Sequence, residues 1–185
     1  MSGGKELCLN ENEVKSIVRK PIHVVGAMNK KSLVDLLEND EPIVRIMLHY
    51  QNDNNAYSVS GHWCALYIDK PKKKIYFYDS YGEYPDDQLN HIRPQYRMKT
   101  DQVTRDVNIL LNAALREGYK IEYNDHKHQE RKKGINTCGR WAGTFLKRGG
   151  SIEEFNNFVR KYAGAYKIKN LDDAIVKLTD PSINY

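Results

Sequence analysis

The chain has 185 residues, 40% of them hydrophobic and 29% charged, with a formal charge of +5. This is the composition of a soluble, globular chain. No apolar run approaches the roughly 18 residues of a membrane span, and "MSGGKELCLNENEVK" lacks a signal-peptide core. A single domain over 1–185 in a reducing cytoplasm is therefore expected. The modest positive charge suits anionic partners without naming one. Cys8, Cys64 and Cys138 cannot all pair with one another and lack zinc-finger spacing, so at least one free thiol and no metal or cofactor is expected.

In chain order, "NKKSLVDLLEND" reads as a short helix with Ser32 near its start, and "EPIVRIMLHYQ" (41–51) as a mostly apolar strand. The polar loop "QNDNNAYSVS" (51–60) follows. "GHWCALYID" (61–69) and "KIYFYDS" (74–80), joined by a lysine-rich turn, predict an antiparallel hairpin. "VTRDVNILLNAALREG" (103–118) carries apolar residues at helical spacing and stops at Gly118, and "YKIEY" (119–123) suits a strand. Helices are expected over 138–148, 151–162 and 170–178, the second opened by the capping-box spacing of Ser151 and Glu154. The class is α+β, with a mixed or antiparallel sheet flanked by helices. The basic stretches 70–74 and 126–133 read as solvated loops rather than a nucleic-acid footprint.

"GINTCGRWAGTF" (134–145) carries the first chemical signal. Cys138, Trp141, Ala142, Phe145 and Leu146 fall on one helical face. With Asn136 or Thr137 as N-cap, Cys138 lies in the first turn. Unpaired N–H groups and the positive end of the helix dipole there favour a thiolate over a thiol. Gly139 leaves room beside the sulfur, and nearby backbone N–H groups suit an oxyanion. The competing reading is a small core residue, since free cysteine is among the most buried types.

A cysteine nucleophile needs a base, and the hairpin offers one. If the turn centres on Lys70–Pro71, paired positions sum to 141, and His62 stands opposite Asp79 with Cβ atoms roughly 5 Å apart. A longer loop, favoured by the awkward Pro71, gives a sum of 143 and makes the two diagonal neighbours on one face. That face is otherwise apolar: Cys64, Leu66, Ile68, Ile75 and Phe77. An imidazole beside a carboxylate there suits an oriented base, and the helix from Cys138 is expected to cover that face. The rival reading puts His62 at the water line of the sheet and Asp79 in a turn-capping role. His126 and His128 lack a third metal ligand and are expected in solvent; His23, His49 and His91 have no evident partner.

The "GHW", "YDS", glutamine and "NTCGRW" segments, in that order, resemble the adenovirus-type maturation proteases, which share a papain-like core with proteases that process ubiquitin-like proteins. The resemblance spans about 62–146, within a core of about 42–148 followed by helices over 151–178, and is strongest toward proteases of virophages and large DNA viruses. It implies Cys138 as nucleophile at a helix N-terminus, His62 as base and Asp79 as its orienting group. Gln129 is implied as oxyanion donor, at nine residues before the cysteine and across the insertion "ERKKG"; Asn136 is the alternative. Trp63, shielding the Cys–His pair, and Gly139 are implied as substrate-side residues, although Trp63 suits an ordinary core position equally.

The implied function is a monomeric cysteine endopeptidase that trims capsid or other structural precursors during virion maturation, in the virion and the host cytoplasm, without a cofactor. Relatives of this type use DNA or a peptide as activator, and the charge of +5 permits DNA here. Removal of ubiquitin or a ubiquitin-like modifier is the second reading, with a related acyltransferase more distant. A non-enzymatic basic binding module, in which Cys138 is only core, is the third.

Overall fold

The structure, a computed structural model, describes residues 4–26, 31–53 and 60–180; residues 54–59 of the polar loop lie outside these segments. In chain order the elements are α1 (Glu11–Val18), β1 (His23–Val25), α2 (Leu33–Glu38), β2 (Ile43–Gln51), β3 (Gly61–Asp69) and β4 (Lys74–Tyr78). A 3-10 turn (Asp87–His91) and α3 (Pro94–Lys99) lead to α4 (Asp106–Arg116), β5 (Lys120–Tyr123), α5 (Cys138–Arg148), α6 (Ile152–Ala165) and α7 (Leu171–Leu178). The strands form one mixed sheet in the order β1-β2-β3-β4-β5. The outer pairs β1/β2 and β4/β5 are parallel, and the β2/β3/β4 meander is antiparallel. An α+β fold is thus established.

The predicted strands and helices over 41–51, 61–80, 103–123 and 138–178 are all present, as is α2 with Ser32 as its N-cap. Ser151 and Glu154 form the expected capping box on α6. Four elements carry no counterpart in the expectations: α1, β1, the 3-10 turn (Asp87–His91) and α3 (Pro94–Lys99). Helix α1 is opened by a second capping box, Asn10 with Glu13, a sequence signal as strong as the first. Strand β1 is three residues long, too short for periodicity to register.

Pairing of Ala65 with Tyr78 and Leu66 with Phe77 fixes the hairpin register at a sum of 143, the longer-loop alternative. Lys73 takes the left-handed conformation in the turn (φ 47°). Because β4 ends at Tyr78, the start of β3, including His62 and Trp63, has no β4 partner on that flank.

Both faces of the sheet are covered, which explains why β3 is buried at every position but Gly61 and reads as apolar throughout. Cys64, Leu66, Ile68, Ile75 and Phe77 pack with residues of α2 and α4. Trp63, Ala65, Tyr67, Tyr76 and Tyr78 pack with α1, α5, α6 and α7. The expectation that the cysteine helix covers the His62 face is therefore corrected: α5 lies on the opposite face. Its bulky stripe of Trp141, Phe145 and Leu146 meets the tyrosine-rich side, where Tyr78 stacks on Phe145 at 5.0 Å. No helix among the described residues is long and apolar enough to cross a membrane.

Candidate active site

Cys138 is the first residue of α5, with Thr137 as N-cap. The Thr137 side chain makes no capping bond to the helix; its hydroxyl donates instead to Asp172 of α7. Asp172 also accepts from the Trp141 indole at 3.1 Å and from the Glu130 N–H at 3.0 Å. One buried carboxylate thus ties the loop before the cysteine to the helix after it, and leaves the first-turn N–H groups of α5 without a side-chain cap. Removing it strands three donors, each worth about 1–3 kcal/mol when buried and unmet. Asp172→Ala is expected to cost about 3 kcal/mol in total and to lower Tm by about 6–12 °C, as read by calorimetry.

His62 and Asp79 meet through the gap that β4 leaves. The His62 Nε2 lies 2.8 Å from Asp79 Oδ1. Asp79 is wholly buried and is held further by the Tyr81 N–H at 2.7 Å and by the Gln88 amide at 2.8 Å. Burial alone would raise its pKa, but the His62 charge, the His62 hydrogen bond and the Tyr81 and Gln88 donors outweigh it and hold Asp79 below its usual 3.8. For His62, burial opposes the charged form, while Cys64, Asp79 and hydrogen bonding to Asp79 and Cys138 favour it; the net effect lifts the imidazole well above 6.5. Burial also pushes the Cys64 thiol up to about 12. Cys64 is therefore neutral at pH 7, and Asp79 is the lasting negative charge beside the ring. Cys138 starts α5 on the other face of the sheet, and its nearness is among the influences that raise the His62 pKa.

Gln129 is buried and anchored on Ser80, whose carbonyl accepts from the Gln129 N–H and whose hydroxyl donates to its Oε1 at 2.8 Å. Its amide nitrogen lies 3.2 Å from both the Tyr81 hydroxyl and the Ile135 carbonyl. The inserted residues 130–134, exposed up to Lys133, end in a turn closed by the Ile135 N–H on the Lys132 carbonyl, which returns the chain to Ile135 beside Gln129. Asn136 turns away, donating its side-chain amide to the Glu6 carbonyl at 2.8 Å.

Trp63 is buried on the α5 side, donates its indole N–H to the Leu9 carbonyl at 3.0 Å and packs against His49 at 4.3 Å. Gly139 faces inward: a Cβ there would stand 3.1 Å from the Trp63 ring and 3.3 Å from Leu9. Its missing side chain makes room for the core and the N-terminal segment. The expectation that this room lies on the substrate side is thereby corrected, because the helix's inward face is packed by α1 and the residues before it.

Tyr81 escaped the sequence reading. Its ring stacks on His62 at 4.5 Å, its N–H holds Asp79, and its hydroxyl meets Gln129. Arg131 covers the ring's other side at 4.4 Å and is paired with Glu83. No motif spacing could show this, because the contact joins residues 81 and 131 from two separate loops. A cleft of about 290 Å³ opens here, lined by Tyr50, Gly61, His62, Tyr81, Gln88 and Arg131 among others. A hollow of similar size, about 300 Å³ beside Arg19, Lys147 and Phe158, lies at the far end of α5 from Cys138.

Of the remaining histidines, His126 is exposed and the others have partners away from the cysteine. His23 pairs with Glu41 at 2.8 Å and His91 with Glu83 at 2.9 Å. His128, expected in solvent, is buried between Tyr78 and Trp141. Burial and then the charges of Arg160 and His126 lower its pKa to about 4, so it serves as a neutral core ring accepting from or donating to the Tyr78 hydroxyl at 3.1 Å.

Comparison with known proteins agrees with this geometry. An uncharacterized protein of Sputnik virophage is 35% identical over 120 residues, covering 64% of this chain and 66% of the relative. The chain thus matches just under two thirds of that relative's length. A crystal structure of an ASFV protease superposes with a TM-score of 0.47 at 12% identity, over 96% of this chain and 67% of that one. The central domain of an uncharacterized Legionella pneumophila protein gives 0.43 at 16% identity, over 91% and 98%. With scores below 0.5, these two likenesses carry no residue roles to this chain. The sequence profile described as "Ulp1 protease family, C-terminal catalytic domain" matches residues 21–142, well over half of the chain, and with His62, Asp79 and Cys138 all inside that match the chain belongs to the Ulp1 protease family of cysteine peptidases.

Proposed function

We propose that this chain is a cysteine endopeptidase acting on viral structural precursor proteins, with Cys138 as nucleophile, His62 as base and Asp79 as its orienting group. The observation that carries the reading is His62 held at 2.8 Å by a buried, fully hydrogen-bonded Asp79, with Cys138 at the start of α5 among the groups that raise the imidazole pKa. The Cys138 sulfur passes its proton to His62 and attacks the scissile carbonyl carbon. His62 then delivers that proton to the leaving amine, and the thioester is hydrolysed by a water that His62 deprotonates. The uncapped N–H groups of α5 and the Gln129 amide are the oxyanion donors. Tyr81 is a positioning residue, spanning base, carboxylate and Gln129.

A viral setting, in which structural precursors are the natural substrates, is supported by the likeness to a virophage protein. The family profile supports a second reading, release of a ubiquitin-like modifier. The two separate on one experiment: turnover of capsid-precursor peptides against a fluorogenic ubiquitin-type substrate. Cleavage of the second class alone would remove the first reading. Within either, Gln129→Ala is expected to lower kcat by roughly 100- to 1,000-fold with little change in KM, because the donor acts on charge that develops only in the transition state. Unchanged kcat would leave the oxyanion to the backbone.

A further inference from the structure

Cys64 is a buried thiol that the proposed reaction does not use. It lies two residues after His62 on the same face of β3, wholly shielded from solvent. Its sulfur, a ring nitrogen of His62 and a carboxylate oxygen of Asp79 all lie within 4.8 Å of one another. We propose that His62, Cys64 and Asp79 form a binding site for a thiophilic divalent cation, zinc in particular, and that the bound ion takes the base out of service.

The donor set is the one such an ion prefers: imidazole nitrogen, thiolate sulfur and carboxylate oxygen, at about 2.0–2.3 Å from zinc. Ligand atoms around a tetrahedral ion of that size stand roughly 3.5 Å apart, so the sulfur has to close by no more than about 1 Å, while His62 Nε2 and Asp79 Oδ1, 2.8 Å apart, open slightly to admit the ion. Strand β3 supplies two of them at fixed i, i+2 spacing. The outer contacts are also in place, because the Tyr81 N–H and the Gln88 amide orient the carboxylate, as second partners do in metal sites. His62 borders the cleft, which gives the ion a way in. The fourth position falls to water, as in other three-ligand zinc sites. On binding, Cys64 exchanges its S–H bond for an S–Zn bond and the His62 imidazolium gives up one ring N–H proton, so two protons leave to solvent. The lone pair freed on that His62 nitrogen goes to the metal and no longer accepts a proton from Cys138.

Occupancy can be read without any peptidase activity, so this site stands or falls separately from the proposed hydrolysis. The test is calorimetric titration of zinc into the Cys138→Ala protein, with and without the further change Cys64→Ala. One zinc per chain is expected in the first. Affinity should fall by on the order of 100-fold or more without Cys64, since loss of an outer partner alone costs about 10–100-fold. Gln88→Ala should fall within that smaller range. Cobalt(II) should give a sulfur-to-metal charge-transfer band in the Cys138→Ala protein that disappears when Cys64 is replaced. If Cys64→Ala unfolds the chain, Cys64→Ser keeps the volume and should lose the same band. In the enzyme with Cys138 intact, added zinc should lower the peptidase rate, and Cys64→Ala should lose that zinc sensitivity relative to its own zinc-free rate. Equal affinity with and without Cys64, or no stoichiometric binding to the Cys138→Ala protein, would overturn the proposal.

Discussion

Replacing Cys138 by alanine is expected to abolish peptide-bond cleavage, a loss of at least ~10⁴-fold in kcat/KM, with little change in Tm because a small side chain replaces another small one. His62→Ala should be nearly as severe, and the two losses should not add, since nucleophile and base act as one unit. Alkylation isolates the pair from substrate binding. An ordinary thiol with a pKa of about 8.5 is only ~1% thiolate at pH 6.5. Iodoacetamide should label Cys138 at pH 6.5 roughly 10- to 100-fold faster in wild type than in His62→Ala, with mass spectrometry assigning the site. Cys8 is the internal control: burial and then the nearby Cys138 raise its pKa, so it should label slowly in both proteins. Equal rates at Cys138 in the two proteins would contradict a thiolate–imidazolium pair.

The second large effect lies in Asp79. Asp79→Asn removes the charge that keeps the buried imidazole protonated and oriented, and kcat should fall by on the order of 10³- to 10⁴-fold. The stability consequence has a defined sign at each end of the pH scale. The folded pKa of Asp79 lies below its usual 3.8, so its contribution is present above that value and is lost as pH falls through the lower folded value. The folded pKa of His62 lies above 6.5, so its contribution is complete below 6.5 and is lost as pH rises through the raised value. The difference in Tm between wild type and Asp79→Asn should therefore be largest between about pH 4 and 6.5 and shrink on both sides. A difference independent of pH would mean that Asp79 acts through hydrogen bonds alone.

Apolar periodicity located the hairpin, α4, α5, α6 and α7, because each buries one side against a core and must repeat at the element's own period. It also brought Cys138 to a helix start and His62 and Asp79 to one face of a hairpin, and the order of those residues carried the family resemblance. Helix α1 was legible in its Asn10–Glu13 capping box and was passed over. Strand β1 was not legible, since three residues beside β2 owe their conformation to the neighbouring strand.

Local pattern singled out the residues to which the proposed chemistry is assigned; it could not determine how they meet. A period of two says that His62 and Asp79 share a face, but says nothing of which helix covers it, and both faces of β3 are apolar. Only the assembled sheet puts α5 on the opposite face and ends β4 short of His62, leaving that flank of β3 open. The contacts that complete the site are of the same kind. Tyr81 against His62 and Gln129, Asp172 beneath Thr137 and Trp141, and Leu9 over Trp63 and Gly139 join residues tens of positions apart. No spacing rule encodes such contacts, because they exist only once two cores have packed against one sheet.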